Sequence, residues 1–189
     1  MVDYKQKIID LLEEHMTEKG FKLWKGINSI LPNIWEKPTS STGKHHKKHN
    51  GDVPTCAEHT YHLLYTTAKI MRLFGRNSKT PEGDTMLFAC VLHDALKYGS
   101  LGSRKHTDNQ HDKEAADMVA SNRETFTKVL TEDQFYVLEE AIRFHSGQWS
   151  TDVPRDKKFT FSDYNPETLF IHTLDMMSTA DLIQTDVRD

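Results

Sequence analysis

The sequence predicts an all-α domain, and three observations predict it. Apolar residues recur at helical spacing in segment after segment, as in Ile8-Ile9-Leu11-Leu12-Met16 and Tyr61-Leu64-Tyr65-Ala68-Met71. Several of those segments open on capping residues: Thr55 with Glu58, Thr131 with Gln134, and Asn165 directly before Pro166. Nothing in the chain shows the strand–helix alternation of a parallel sheet. A chain of 189 residues is long enough for one domain with a real core and short for two. No internal repeat or linker divides it. The expected organisation is an N-terminal helical extension over 1–36, a loop over 37–54, and a helical core over 55–183.

In order, Asp3–Lys19 reads as a helix stopped by Gly20, a residue suited to helix C-termini. Phe21–Trp35 is short, aromatic and broken by Gly26 and Pro32, so it predicts a helical turn packed on the core. Pro38, a Ser/Thr run, Gly43, a His/Lys cluster and Gly51 mark 37–54 as loop. A capped helix then runs from Thr55 to about Gly75. A second, with Asp84 as its cap, runs through Lys97, and a third spans about Gln110 to Asn122. The Thr131 helix carries Phe135, Leu138, Ala141 and Ile142. Gly147–Asp163 is irregular, with a short extended piece expected at Lys158–Phe161. A long helix from Pro166 to about Ile183 closes the pattern.

Composition removes several classes of function. A net charge of −4 gives no global basic field, so a sequence-independent grip on long nucleic acid is not expected. The longest apolar run, Met86–Leu92, is far short of the ~20 residues a membrane span needs. The two cysteines, Cys56 and Cys90, lie inside apolar helical patterns, which predicts reduced core thiols and a cytoplasmic protein. Trp24, Trp35 and Trp149 offer aromatic surface for self-association, so a homo-oligomer is open.

The 11 histidines are the unusual feature. His45, His46 and His49 lie in the polar loop, where solvated surface is the plain reading. The segment Met86-Leu-Phe-Ala-Cys-Val-Leu-His93-Asp94-Ala-Leu96 is apolar on nearly every face and should be central and buried. A histidine and an aspartate side by side there cost several kcal/mol, of order, unless they are paired, protonated or bound to metal. Helix neighbours sit about 100° apart and do not face one another, so a cation on which both converge is the natural third object. Asp175 shares its helix face with Ile171, Ser178 and Leu182, and is expected to be half buried and in need of a partner. His172 is its alternative, and Asp181 reads as a surface charge. His59, His111 and His145 also fall on helices; each alone would more often be an ordinary core or surface histidine.

Taken in order, His59, His93-Asp94, His111, His145 and Asp175 lie in CAEHTYHLL, LFACVLHDALKYG, HDKEAADMV, AIRFHSGQW and LFIHTLDMM. Over about Thr55 to Asp181 the chain resembles the HD-domain metal-dependent phosphohydrolase superfamily. The stretch HHKKHNG…EHT also resembles the HD module of a 3′-to-5′ exoribonuclease, without that module's paired glycines. The resemblance implies a helical bundle with a central metal held by His59, His93, Asp94 and Asp175. His111 and His145 belong to the version with a second metal, in which Asp94 bridges. Members with a second metal often carry a His-His pair where this chain has His145-Ser146, and many have Gly at the position of Leu96.

Imidazole and carboxylate ligands suit Mn, Fe, Co, Ni or Zn, with Mg possible, as one or two ions. Such an ion lowers the pKa of water and polarises a phosphoryl oxygen, with Asp94 orienting or deprotonating the water. Lys97 either reaches a substrate phosphate as a point charge or is a plain surface lysine. His46, His49 and Arg143 are weaker candidates for substrate contact. The implied activity is hydrolysis of a phosphoester in a small nucleotide-like substrate, the nucleotide part resting on the resemblance alone. Two rivals stay open: an HD-type diiron oxygenase, and a nucleotide-sensing HD module without turnover.

Overall fold

A computed structural model describes residues 2–40 and 53–179 of the chain. Among them the architecture is all-helical, without strands. Its helices are α1 (Tyr4–His15), α2 (Glu18–Asn28), α3 (Cys56–Leu73), α4 (Pro81–Leu92), α5 (His111–Ser121), the single turn α6 (Arg123–Phe126), α7 (Glu132–Arg143) and α8 (Pro166–Thr179). Near Lys158–Phe161, Thr160 is extended, as expected, but no strand forms. That stretch is irregular and ends in a 3₁₀ turn, Phe161–Asp163, closed by the Thr160 and Asp163 side chains. The last helix starts where the Asn165-Pro166 pair predicts, with Asn165 Oδ1 accepting from Thr168 N at 2.7 Å. Its expected end near Ile183, and Asp181, fall outside the described residues.

One apolar core joins all these elements. α4 is buried on every face and packs against α3, α7 and α8, while α1 lies on α3 and α5 on α7. Leu63, Phe88, Leu92, Val119, Leu138, Ile142 and Ile171 are fully enclosed. Helix ends follow local chemistry. Thr55 Oγ1 accepts from Glu58 N, and Thr131 with Gln134 forms the full reciprocal capping box. The first amides of α3 are also met, since Cys56 N and Ala57 N donate to Lys37 O and Trp35 O. That ties the segment ahead of the 41–52 stretch to the start of α3.

Three expectations need correction. Gly20 does not stop the first helix. Met16 leaves the helical region, Thr17 caps a new helix, and Gly20 lies inside it. Its missing side chain makes room, because a Cβ there would lie 2.3 Å from Asp84 Oδ2. Asp84, in turn, does not cap α4. Thr80 does so through Gly83 N, with Pro81 in the first turn, while Asp84 is buried and accepts from Thr17 N and Oγ1 at 2.8 and 2.5 Å. Phe21–Trp35 does pack on the core, but as more than a helical turn: 21–28 belongs to α2, with Trp24 only 3% exposed, which removes Trp24 from any self-association surface.

α4 is also shorter than expected, ending at Leu92 and not at Lys97. Ala95 N bonds Leu92 O and Lys97 N bonds Asp94 O, so the chain tightens to i→i−3 turns from His93 onward. His93 and Asp94 thus sit at the buried C-terminal end of the helix, where its last carbonyls are available to side chains.

Candidate metal centre

Five elements bring six side chains to one buried point. α3 supplies His59, the end of α4 supplies His93 and Asp94, α5 opens on His111, the turn after α7 carries His145, and α8 supplies Asp175. They form two groups whose ligand atoms lie within 4.8 Å of one another: His59, His93 and Asp175, and Asp94, His111 and His145. Asp175 is 7% exposed, more deeply buried than its half-apolar face predicted. Asp94 faces both groups with different oxygens. Its Oδ2 is 3.4 Å from His93 Nε2 and 3.8 Å from His59 Nε2. Its Oδ1 is 3.1 Å from His111 Nε2 and 3.7 Å from His145 Nε2.

The ring orientations decide what the centre can hold. Nδ1 of His93, His111 and His145 faces the backbone carbonyls of Cys90, Asp108 and Ile142 at 2.9, 2.6 and 2.7 Å. A carbonyl only accepts, so each Nδ1 carries the hydrogen, and Nε2 of a neutral ring presents a bare lone pair to the centre. Nε2 of His59 lies 3.2 Å from Nε2 of His93, and Nε2 of His111 lies 3.3 Å from Nε2 of His145. Lone pairs so close to one another and to two carboxylates repel unless a cation, proton or metal, sits among them. Asp94 Oδ1 is buried without a well-formed hydrogen bond despite its approach to His111. The donor set therefore fits a divalent ion, and the N–H-to-carbonyl bonds are the outer partners that ligating histidines commonly have.

The electrostatics point the same way. Burial opposes ionisation of Asp94, but the Lys97 ammonium and His93 outweigh it and hold the carboxyl well below its usual range. Burial likewise opposes the Asp175 carboxylate, and the close approach of His59 together with the charge of His93 brings it down. Burial opposes the charge on His93, but the charge and hydrogen bond of Asp94 together with the charge of Asp175 outweigh it and move the ring up. His145 moves down to about 4, through burial and then the neighbouring His93 and His111. Cys56 and Cys90 are pushed up to about 12 by burial, so both thiols stay protonated and do not compete as soft ligands.

A pH dependence of the metal-free protein follows. The unfolded His145 ring takes a proton below about pH 6.5, while the folded one refuses it until about 4. Stability therefore falls as pH drops through that window, by about 3 kcal/mol at full expression. His93 has the opposite shift, so its contribution is complete below about 6.5 and is lost as pH rises through its folded value. Urea titrations of metal-free protein are expected to give maximal stability near pH 6.5, and a flat profile through the acid window would contradict the assignment of His145.

The remaining expected site residues are placed as follows. Lys97 is no surface lysine: it is 9% exposed, with Nζ 2.5 Å from Asp94 Oδ2. Arg143 turns away into three carboxylates, Asp117, Glu139 and Asp152, at 2.8, 2.7 and 2.5 Å, clasping α5, α7 and the following loop together. These partners occupy its guanidinium and give it a bracing role. His172 does not stand in for Asp175; its Nδ1 donates to His145 O at 2.5 Å, and its ring stacks on Tyr164. His46 and His49 lie outside the described residues.

The sequence reading missed two supports. Asp112, beside His111, is buried and accepts from Thr151 N and Oγ1 at 2.7 and 2.6 Å, fixing the loop after His145 on α5. In the sequence Ser178 reads only as a neighbour of Asp175, but its Oγ reaches His59 Nδ1 at 3.2 Å. A narrow recess lined by Leu31, Ile34, Trp35, Cys56, Thr60 and Ala95 opens beside Asp94. No described helix is long and apolar enough to cross a membrane. No family model matches the chain, and no curated protein or solved structure matches it significantly.

Proposed function

We propose that the protein is a metal-dependent phosphohydrolase of the HD type, acting on a phosphoester of a nucleotide or a short nucleotide-like molecule. The observation that carries the reading is the convergence of four imidazole Nε2 atoms and two aspartates, with Asp94 placing one oxygen toward each histidine group. This is the ligand order that the sequence resemblance implies, including His111 and His145 for a second ion. The nucleotide part rests on that resemblance.

Charge supports an anionic substrate. With neutral histidines, Asp94, Asp175 and Lys97 sum to −1; one divalent ion brings this to +1, and two bring it to +3. A phosphoester offsets that excess. A bound ion supplies Lewis acidity, lowering the pKa of water and polarising a phosphoryl oxygen. Asp94 would take the proton of the attacking water and, as the new P–O bond forms and the ester P–O bond breaks, pass it to the leaving oxygen. Lys97, already seated on Asp94 Oδ2, holds positive charge where a phosphoryl oxygen arrives.

The test is reconstitution of metal-free protein with Mn²⁺, Co²⁺, Zn²⁺ or Fe²⁺ under nitrogen, followed by phosphate release from mononucleotides, nucleoside triphosphates and cyclic or short oligonucleotides. The expected result is one or two ions per chain and phosphate release from at least one class without oxygen. Oxygen consumption with iron alone would move the assignment to an HD-type diiron oxygenase. Nucleotide binding without turnover would move it to a sensing module.

A further inference from the structure

The four histidines of the centre are not oriented in the same way. His93, His111 and His145 each hold Nδ1 on the carbonyl three residues earlier in their own chain: Cys90, Asp108 and Ile142. These rings sit at helix ends, where carbonyls are free of the helical ladder. His59 is the fourth residue of α3, where the carbonyls that precede it serve the helix. Its Nδ1 instead meets the side chain of Ser178, from α8, at 3.2 Å.

Ser178 Oγ lies 2.7 Å from Asp175 O, which can only accept, and 3.2 Å from His59 Nδ1; with its single hydrogen on the nearer carbonyl it accepts from the ring. His59 therefore carries its hydrogen on Nδ1, and its Nε2 lone pair faces His93 Nε2 and Asp175 Oδ1 at 3.2 and 3.1 Å. Without the hydroxyl, the Nδ1–H form loses this acceptor. The other tautomer then gains one, because a hydrogen on Nε2 points straight at Asp175 Oδ1. In that form His59 and Asp175 satisfy each other and both withdraw from a metal.

We infer that Ser178 is a positioning residue that sets the His59 tautomer, and with it the metal affinity of the His59–His93–Asp175 group alone. The inference rests on the metal reading proposed above. The Asp94–His111–His145 group is insulated from it, since both of its rings are fixed by carbonyls of their own segments. α8 thus supplies both a ligand, Asp175, and one turn later the group that readies the ligand opposite. Loss of such an outer partner typically costs 10–100-fold in metal affinity.

The experiment compares wild type, Ser178→Ala and Ser178→Thr by calorimetric Mn²⁺ or Co²⁺ titration against a competing chelator. It adds ¹⁵N–¹H spectra of the metal-free histidine rings. In Ser178→Ala one class of site is expected to weaken about 10–100-fold with the other unchanged. The His59 hydrogen is expected to shift from Nδ1 toward Nε2, and Ser178→Thr, which keeps the hydroxyl, is expected to restore both. An unchanged affinity in Ser178→Ala, equal weakening of both classes, or failure of threonine to rescue would overturn the inference. If wild type takes a single ion, its weakening together with the tautomer shift supports the assignment, and an unaffected ion overturns it. Wild type that takes no metal would instead bring down the proposed function itself, a distinct outcome.

Discussion

Asp94→Ala is expected to empty both histidine groups of metal and to reduce phosphate release by about 10³-fold or more. Among the described residues, Asp94 is the one carboxylate that faces all four imidazoles, with Oδ2 toward His59 and His93 and Oδ1 toward His111 and His145. No other described ligand is shared in this way, so substituting His145 or Asp175 should impair one group more than the other. Asp94→Asn keeps the shape but neither the charge nor two accepting oxygens, and is expected to lose metal as well. Metal content after gel filtration, read beside phosphate release, checks both variants. Full metal retention in Asp94→Ala would remove the carboxylate from the centre. The alanine variant also strands the buried Lys97 ammonium, at a cost of about 3–5 kcal/mol. The double variant Asp94→Ala/Lys97→Met is expected to recover stability without recovering metal, which separates ligation from folding.

Lys97→Met is expected to give the largest split between metal-free and metal-loaded protein. In the metal-free state Lys97 is the main positive charge against Asp94, and removing it leaves a buried carboxylate short of compensation. Chemical denaturation should show the metal-free variant weaker by about 3–5 kcal/mol. A bound divalent ion takes over the compensation, so the loaded variant should approach wild type. Its rise in melting temperature on adding metal should exceed that of wild type. Equal metal-induced shifts in the two proteins would show that the ammonium and the ion do not share the same oxygen. Phosphate release in the loaded variant then reports what Lys97 does for substrate apart from stability.

What was legible in the sequence follows from what is local. Capping at Thr55, Thr131 and Asn165 depends on residues within four positions, and the structure keeps all three. The buried His93-Asp94 pair announced itself because a charge inside an apolar run has no inexpensive explanation. Errors arose where distant partners decide the outcome. Asp84 has the position of a first-turn acid but serves Thr17, 67 residues away, and Gly20 has the position of a stop but clears space for that carboxylate. Arg143 looks available next to His145 until Asp117 and Asp152 arrive from other segments. Ser178 could be seen on the face of Asp175, but a hydroxyl one turn from a carboxylate carries no signal of the α3 ring it meets. His111 and His145 were ordinary histidines until α5 and α7 packed together.

The carbonyls that hold His93, His111 and His145 have a consequence for how such a centre is inherited. A main-chain oxygen cannot be deleted by exchanging one side chain for another, so these three ring orientations persist through drift at the residues that provide them. Each is a self-contained four-residue cassette, Cys90–His93, Asp108–His111 or Ile142–His145, that travels with the backbone bend it occupies. Grafted onto another helical scaffold with the same bend, it should arrive already aimed. Only the His59 position depends on a distant gene-encoded hydroxyl, and it is there that a lineage would most readily lose, or retune, one half of the centre.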